Sequence, residues 1–334
     1  MNVTARKMAV ATLSVLSNAT LVVLKVIVGL LIGSVSVVSE AAHSGVDLVA
    51  SVVALIAVRG SGKPADARHP FGHGKLENLS AAVEAALIFL AAGWIVIEAV
   101  HKMGHPEAIT APTWGFGVML VSVAANLGVS QLLFRVGRQT NSAALQADGW
   151  HLRTDVWTSA GVMAALGLIS LGDALLPGQG RWLHLIDPIA AMVVAVMIVK
   201  AAWHLTVQSA DDLMDAALPA DEQQWITAAL AKFVPAIHGF HRLRSRKSGS
   251  VRFIDLHIFV DGRMTVADSH QLAHRCAEPI KQHFEGADVQ VHVEPCVGLC
   301  NERCEPGCLL TVEQRQAIAR ANTPVAPDDN SGHA

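Results

Sequence analysis

Up to about residue 208 the apolar positions fall in six long runs separated by short polar stretches; beyond it the pattern breaks into shorter periods. The runs are Met8–Ile32, Val35–Val58, Leu79–Val100, Trp114–Val136, Ala144–Leu171 and Leu185–Val207. A helix of about 20 mostly apolar residues crosses the hydrocarbon of a bilayer, so each run predicts a transmembrane helix. Only Gly33 and Ser34 part the first two, which predicts a helical hairpin. The fifth run differs from the rest. Its first half crowds Gln146, Asp148, His151, Arg153 and Asp155 together, and only Val156–Leu171 is apolar. Such a helix must turn its polar face to the bundle interior or to water. Asn18, Asn126 and Asp187, placed in other runs, predict interhelical hydrogen bonds.

After the last run a charged connector ends at Pro219. Helical periodicity predicts a helix over Asp221–Phe233 and another over Val266–Phe284. Alternation predicts strands over Phe240–Ser248 and Val251–Val260, joined at Ser248 and Gly249, and a third over Asp288–Glu294. The order α-β-β-α-β predicts a ferredoxin-like α+β domain. The fold class is therefore an α-helical membrane protein: a six-transmembrane-helix bundle over residues 8–208 with a cytoplasmic ferredoxin-like domain over 209–296. Residues 297–334 form a cysteine-containing tail, expected to be disordered after Arg320.

Composition agrees with this division. Of 334 residues 52% are hydrophobic and only 16% charged, too apolar for an ordinary soluble chain. A net charge of −3 without any basic run argues against nucleic acid as a partner. The N-terminus lacks a small-residue cleavage site and reads as a cytoplasmic lead into the first span. With that end in the cytoplasm, Arg6, Lys7, Arg59, Lys63, Arg68, Lys75, Arg135 and Arg138 share its side, whereas Lys102 and Arg181 lie opposite. This bias predicts both termini in the cytoplasm and a location in the cytoplasmic (inner) membrane.

The candidate chemistry lies inside the spans. His43 and Asp47 are four apart in the second run, and His151 and Asp155 repeat the spacing in the fifth. Residues four apart stack on one helical face. Two helices thus offer two imidazoles and two carboxylates, a set that suits tetrahedral Zn²⁺. Ionisable groups at membrane depth need a partner, a cavity or a cation. Two unrelated pairs of hydrogen-bonded side chains are the alternative, and the repeat inside apolar runs argues against it. No HExxH occurs, so a metalloenzyme reading finds no general base beyond Glu40, and no catalytic residue is assigned.

Together the six spans, the paired HxxxD, the loop DARHPFGHGKLE and the α-β-β-α-β domain resemble the cation diffusion facilitators, over Met8 to Cys296. The resemblance implies a homodimeric transporter that moves divalent metal out against protons, with Zn²⁺ as substrate and as a regulatory ligand. It implies a transport site of His43, Asp47, His151 and Asp155, the histidine at position 43 going with zinc over cadmium. It implies a loop site of Asp66, His69 and His73, for which a solvated histidine-rich turn is the other reading. In the cytoplasmic domain it implies a binuclear site at the dimer interface from His241, His257, His270, His292 and Glu294, with Glu where an Asp is common. It further implies that Lys75 pairs with Asp215. A divalent-cation channel, or a metal sensor without coupled antiport, would share the same ligands.

Cys296, Cys300, Cys304 and Cys308 follow where the resemblance fades. Gaps of three fall within structural zinc spacings, and a reducing compartment disfavours disulfides. Two readings stand for this segment: a thiolate metal site, or a thiol-rich tail without a fixed site.

Overall fold

The computed structural model describes residues 3–32, 35–104, 113–175, 186–298 and 305–322. Each apolar run forms a helix that extends past it into flanking polar residues: α1 Val3–Ile32, α2 Val35–Ser61, α3 Lys75–Gly104, α4 Thr113–Gln139, α5 Ala143–Leu175 and α6 Ile186–Leu213. Among the described residues five helices are long and apolar enough to cross a membrane; α5 is 33 residues long, and its polar first half sets it apart.

Burial in this bundle runs opposite to that of a soluble protein. Leu31, Leu90, Trp94 and Val196 are among the most exposed side chains, while Ser14, Asn18, Ser51, Asp47, Asp148 and His151 are buried. Outward apolar and inward polar side chains are what a bilayer requires of a helical bundle with a polar interior. Small residues allow the close approach of α3, α5 and α6, where Ala81, Ala85 and Ala92 meet Ala143, Ala147 and Ala202. Of the three residues expected to form interhelical hydrogen bonds, the Asp187 side chain lies outside the described residues, and Asn18 and Asn126 are buried. Asn18 Nδ2 and Asn126 Oδ1 are buried with no hydrogen-bond partner among the described residues. Both amides lie in a bundle whose interior is lined by polar groups, so exclusion from lipid accounts for their placement.

The chain divides into two compact units, Met1–Met214 with Ser248–Ser250, and Asp215–Lys247 with Val251–Ala334. The second follows the expected order: α7 Ala220–Ala231, β1 Gly239–Ser248, β2 Val251–Asp261, α8 Val266–His283 and β3 Asp288–Cys296. Its sheet has the order β1-β2-β3, with β2 and β3 parallel. A parallel pair needs a crossover connection, which α8 supplies. Gly249 takes φ +58, the left-handed conformation that the tight link between β1 and β2 demands. On β2 the burial alternates strictly, so Ile254, Leu256, Ile258 and Val260 face one way and His257 and Phe259 the other. The first set packs with Ile226 and Leu230 of α7 and Leu272, Cys276 and Ile280 of α8 to form the core. The Cys276 thiol is pushed up to about 11 by this burial and behaves as a small apolar side chain.

The tail carries structure that its apolar pattern does not signal. Gly239 forms an antiparallel bridge with Cys308, Leu309 packs against the core, and α9 runs over Val312–Asn322, past Arg320. A capping box starts α9: Gln314 N–H donates to Thr311 Oγ1 at 3.3 Å and Thr311 N–H to Gln314 Oε1 at 2.9 Å.

Candidate metal centres

The buried centre is built by α2 and α5. Four-residue spacing puts Asp47 on the face of α2 that carries His43, and puts His151 and Asp155 on one face of α5. His151 Nε2 lies 3.1 Å from Asp47 Oδ1, with both side chains over nine-tenths buried. Ligand atoms of Asp47, His151 and Asp155 lie within 4.8 Å of one another. His151 Nδ1 is buried with no hydrogen-bond partner among the described residues. His43 occupies the preceding turn of α2, and its side chain lies outside the described residues. Two carboxylates and an imidazole converging inside the bundle, Asp47 and His151 buried and Asp155 half-buried, form a harder, more polar set than a bundle core uses for packing. Their formal charge balances a dication.

In the loop between α2 and α3, Asp66 Oδ1 accepts from the backbone N–H groups of Arg68 at 2.9 Å and His69 at 2.7 Å. The hydrogen bond from the His69 backbone, foremost, holds the Asp66 carboxyl below its usual range. His69 Nδ1 is 3.3 Å and His73 Nε2 3.5 Å from the Asp66 carboxylate, and the two rings lie 4.4 Å apart. Here the histidines meet across a turn, which Gly72 closes with φ +79, and not along a helix. The three ligands converge, and all three are accessible to solvent to some degree.

The third cluster stands on the face of the sheet opposite its core. The parallel register aligns His257 with His292 and Phe259 with Glu294, so period-two alternation delivers all four to one face. His257 Nδ1 is 2.6 Å from Glu294 Oε1, His241 Nε2 is 3.0 Å from Glu294 Oε2, and His292 Nε2 is 4.0 Å from Glu294 Oε1. His241 stacks on Phe259 at 4.6 Å between ring centroids. Burial alone would raise the Glu294 carboxyl, but the bond to His257 and the His241 imidazole outweigh it and hold it below its usual range. His241 Nδ1 is buried with no hydrogen-bond partner among the described residues. The donor set of three imidazoles and a carboxylate fits a zinc-type ion. His270 is not in this cluster; it lies on α8 with its Nε2 3.2 Å from that of His274.

Of the four late cysteines, Cys296 ends β3 and is buried, and Cys308 Sγ approaches the His238 carbonyl at 4.0 Å. Cys300 and Cys304 lie outside the described residues. Lys75 Nζ donates to the Leu213 carbonyl at 3.1 Å, and Asp215 accepts from Arg246 at 3.4 Å.

Several polar groups here escaped the pattern analysis. Glu84 is a carboxylate inside the third run and was open to the same test as His43 and Asp47. Lys7 and Glu77, 2.8 Å apart and buried, lie 70 residues apart in the chain, and no local pattern links them.

Residues 11–214 match the cation efflux transmembrane domain, and residues 218–296 match the cation efflux protein cytoplasmic domain. The chain belongs to the cation efflux family, the cation diffusion facilitators. Similar relatives include the uncharacterized transporter sll1263 of Synechocystis sp., 36% identical over 79% of this chain and 82% of that one. The cation-efflux pump FieF of Yersinia pestis (strain Pestoides F) is 34% identical over 81% of this chain and 87% of the relative. Among solved structures, the metal-bound C-terminal domain of the CzcD transporter from Thermotoga maritima is 31% identical, with a TM-score of 0.22. It covers 26% of this chain and 100% of that one. This member of the family is thus a multi-pass membrane transporter of cations, with a cytoplasmic α+β domain, and not an enzyme.

Proposed function

We propose that this cation efflux transporter exports a divalent metal ion, Zn²⁺ foremost, in exchange for protons. The convergence of Asp47, His151 and Asp155 in the buried interior between α2 and α5 carries the reading. Metal binding there needs ionised carboxylates and a neutral imidazole, so a bound ion displaces protons. Protons compete with the ion for the imidazoles of His151 and His43, which carry them on the return. Exchange then follows from competition for the same atoms: the centre holds metal or protons, and opening to either side alternates between them. Two carboxylates offset the charge of a dication, lowering the cost of holding it at membrane depth.

The other two clusters take other roles. His241, His257, His292 and Glu294 hold zinc as a regulatory ligand, and Asp66, His69 and His73 form a loop site near the membrane surface. The chain acts as a homodimer, and His270, outside the cluster of its own chain, is left for the interface. Both termini lie in the cytoplasm and the protein sits in the inner membrane. For Cys296, Cys300, Cys304 and Cys308 a collecting site for metal is the functional reading, separate from the transport path.

Metal choice is tested by competitive uptake of Zn²⁺ and Cd²⁺ into vesicles holding the whole protein. Zinc should win in the wild type, and His43→Asp should bring cadmium to within a few fold of zinc. An unchanged preference in His43→Asp would count against His43 as the residue that sets metal selectivity.

A further inference from the structure

Next to the buried centre lies a second pair of carboxylates that the four-ligand site does not use. Glu84 projects from α3 and Asp148 from α5, and both residues are 0% exposed. Neither oxygen of Asp148 has a hydrogen-bond partner among the described residues, nor does Glu84 Oε2; Glu84 Oε1 accepts from Ser80 at 3.2 Å. Glu84 lies within electrostatic reach of Asp148 and His151, and Asp148 within reach of His151 and Asp47. The buried Ser14 hydroxyl of α1 neighbours Asp148 as a donor, just outside short hydrogen-bond distance. Ala85 and Ala147, the chain neighbours of Glu84 and Asp148, pack in one cluster where α3 meets α5, which brings the two carboxyl groups into one neighbourhood; Ser14 of α1 adjoins Asp148 there.

Its position relative to the centre follows from helix geometry. Asp148 precedes His151 by three residues, one turn nearer the start of α5, on the same face. At 1.5 Å per residue Asp148 lies about 7 Å, and His151 about 12 Å, beyond the first residue of α5. Glu84 is about 13 Å beyond the first residue of α3, level with His151. Both helices start at the end of the bundle from which the soluble domain continues, since α3 follows the Ser61–Lys75 loop and α6 ends there at Leu213. An ion entering from that end meets Asp148 before it meets Asp47 and Asp155.

Charge completes the argument. Asp47 and Asp155 already offset one dication, so the buried carboxyl groups of Glu84 and Asp148 are surplus to it, and a buried carboxyl group holds a proton unless a cation takes its place. A cation arriving at this point displaces those protons, and hard oxygen ligands suit a weaker, faster-exchanging site than one with imidazole.

We propose that Glu84 and Asp148, with the Ser14 hydroxyl, form a second divalent-cation station one turn from the transport centre, which receives the ion and passes it to His151 and Asp47. The proposal builds on the efflux reading but has its own test. Zinc bound to the full-length protein in nanodiscs is counted by equilibrium dialysis from micromolar to millimolar Zn²⁺, in an Asp155→Ala background that disables the main centre. Adding Asp148→Asn, or separately Glu84→Gln, should remove one weakly bound zinc ion per chain. In the otherwise native chain each single change should raise the half-saturating zinc concentration for flux about tenfold, comparable to the loss of a supporting group at a metal site. Zinc counts that are the same with and without Asp148 and Glu84 overturn the station. A wild-type protein that moves no zinc overturns the efflux reading instead, so the two failures are distinguishable. If Asp148→Asn does not fold, the Glu84→Gln count decides alone.

Discussion

At the residue scale, the proposed transport centre is defined by groups whose loss is chemically specific. Asp47→Ala and Asp155→Ala each remove a carboxylate that faces other polar groups and not a packed apolar core. Flux should fall to background in either variant, while the protein still elutes as a folded species in size-exclusion chromatography. Normal transport by either variant would disprove the centre. Glu294 makes a prediction about pH. Its folded carboxyl lies below its ordinary value of 4.5, so the stabilisation it contributes is complete above that value and is lost as pH falls through the lowered folded value. The gap in unfolding midpoint between wild type and Glu294→Gln should be widest above about pH 4.5 and should close in stronger acid. A gap that widens on acidification would contradict the assignment. The meeting of Asp47, His151 and Asp155 was readable from spacing because a helix turns a gap of four into a shared face; the His43 side chain lies outside the described residues. Glu84 and Asp148 were visible as charges in apolar runs, but which helix faces them is a matter of packing, which no local spacing encodes.

At the scale of elements, apolar run length located all six helices, and their ends overshoot the runs because polar residues such as Lys75 and Arg59 continue the helix outside the hydrocarbon. One buried knot ties several of these helices together. Glu77 Oε1 accepts from Lys7 Nζ at 2.8 Å and Ser61 Oγ at 2.7 Å, and Oε2 accepts from Ser142 just before α5. Removing one partner of a buried pair strands the other charge, at a cost of about 3–5 kcal/mol. Glu77→Gln should therefore lower the thermal midpoint of the detergent-solubilised protein sharply, and Lys7→Met in the same chain should recover much of the loss. Additive losses would show that the two do not act as a pair. In the soluble unit the strand over Val251–Val260 was legible in the sequence, and its alternating burial turns His257 away from the core. Helix α9 was missed because its burial is slight, although Thr311 and Gln314 spell its capping box.

At the scale of the whole molecule, two domain types with opposite burial rules follow each other along one chain. The bundle hides polar groups from lipid, and the α+β unit hides apolar groups from water. The sequence pattern separated them because hydropathy reports the solvent each part meets. Which chain supplies each ligand of the soluble cluster was not legible, since His270 sits apart from His241, His257 and Glu294 and spacing cannot assign it to a subunit. The central claim, metal moved against protons through Asp47, His151 and Asp155, is tested most directly by zinc flux in sealed proteoliposomes with an imposed pH gradient. Zinc should accumulate on the acidic side, the direction should reverse when the gradient is reversed, and Asp155→Ala should abolish both. Zinc flux indifferent to the gradient, or unchanged in Asp155→Ala, would contradict it.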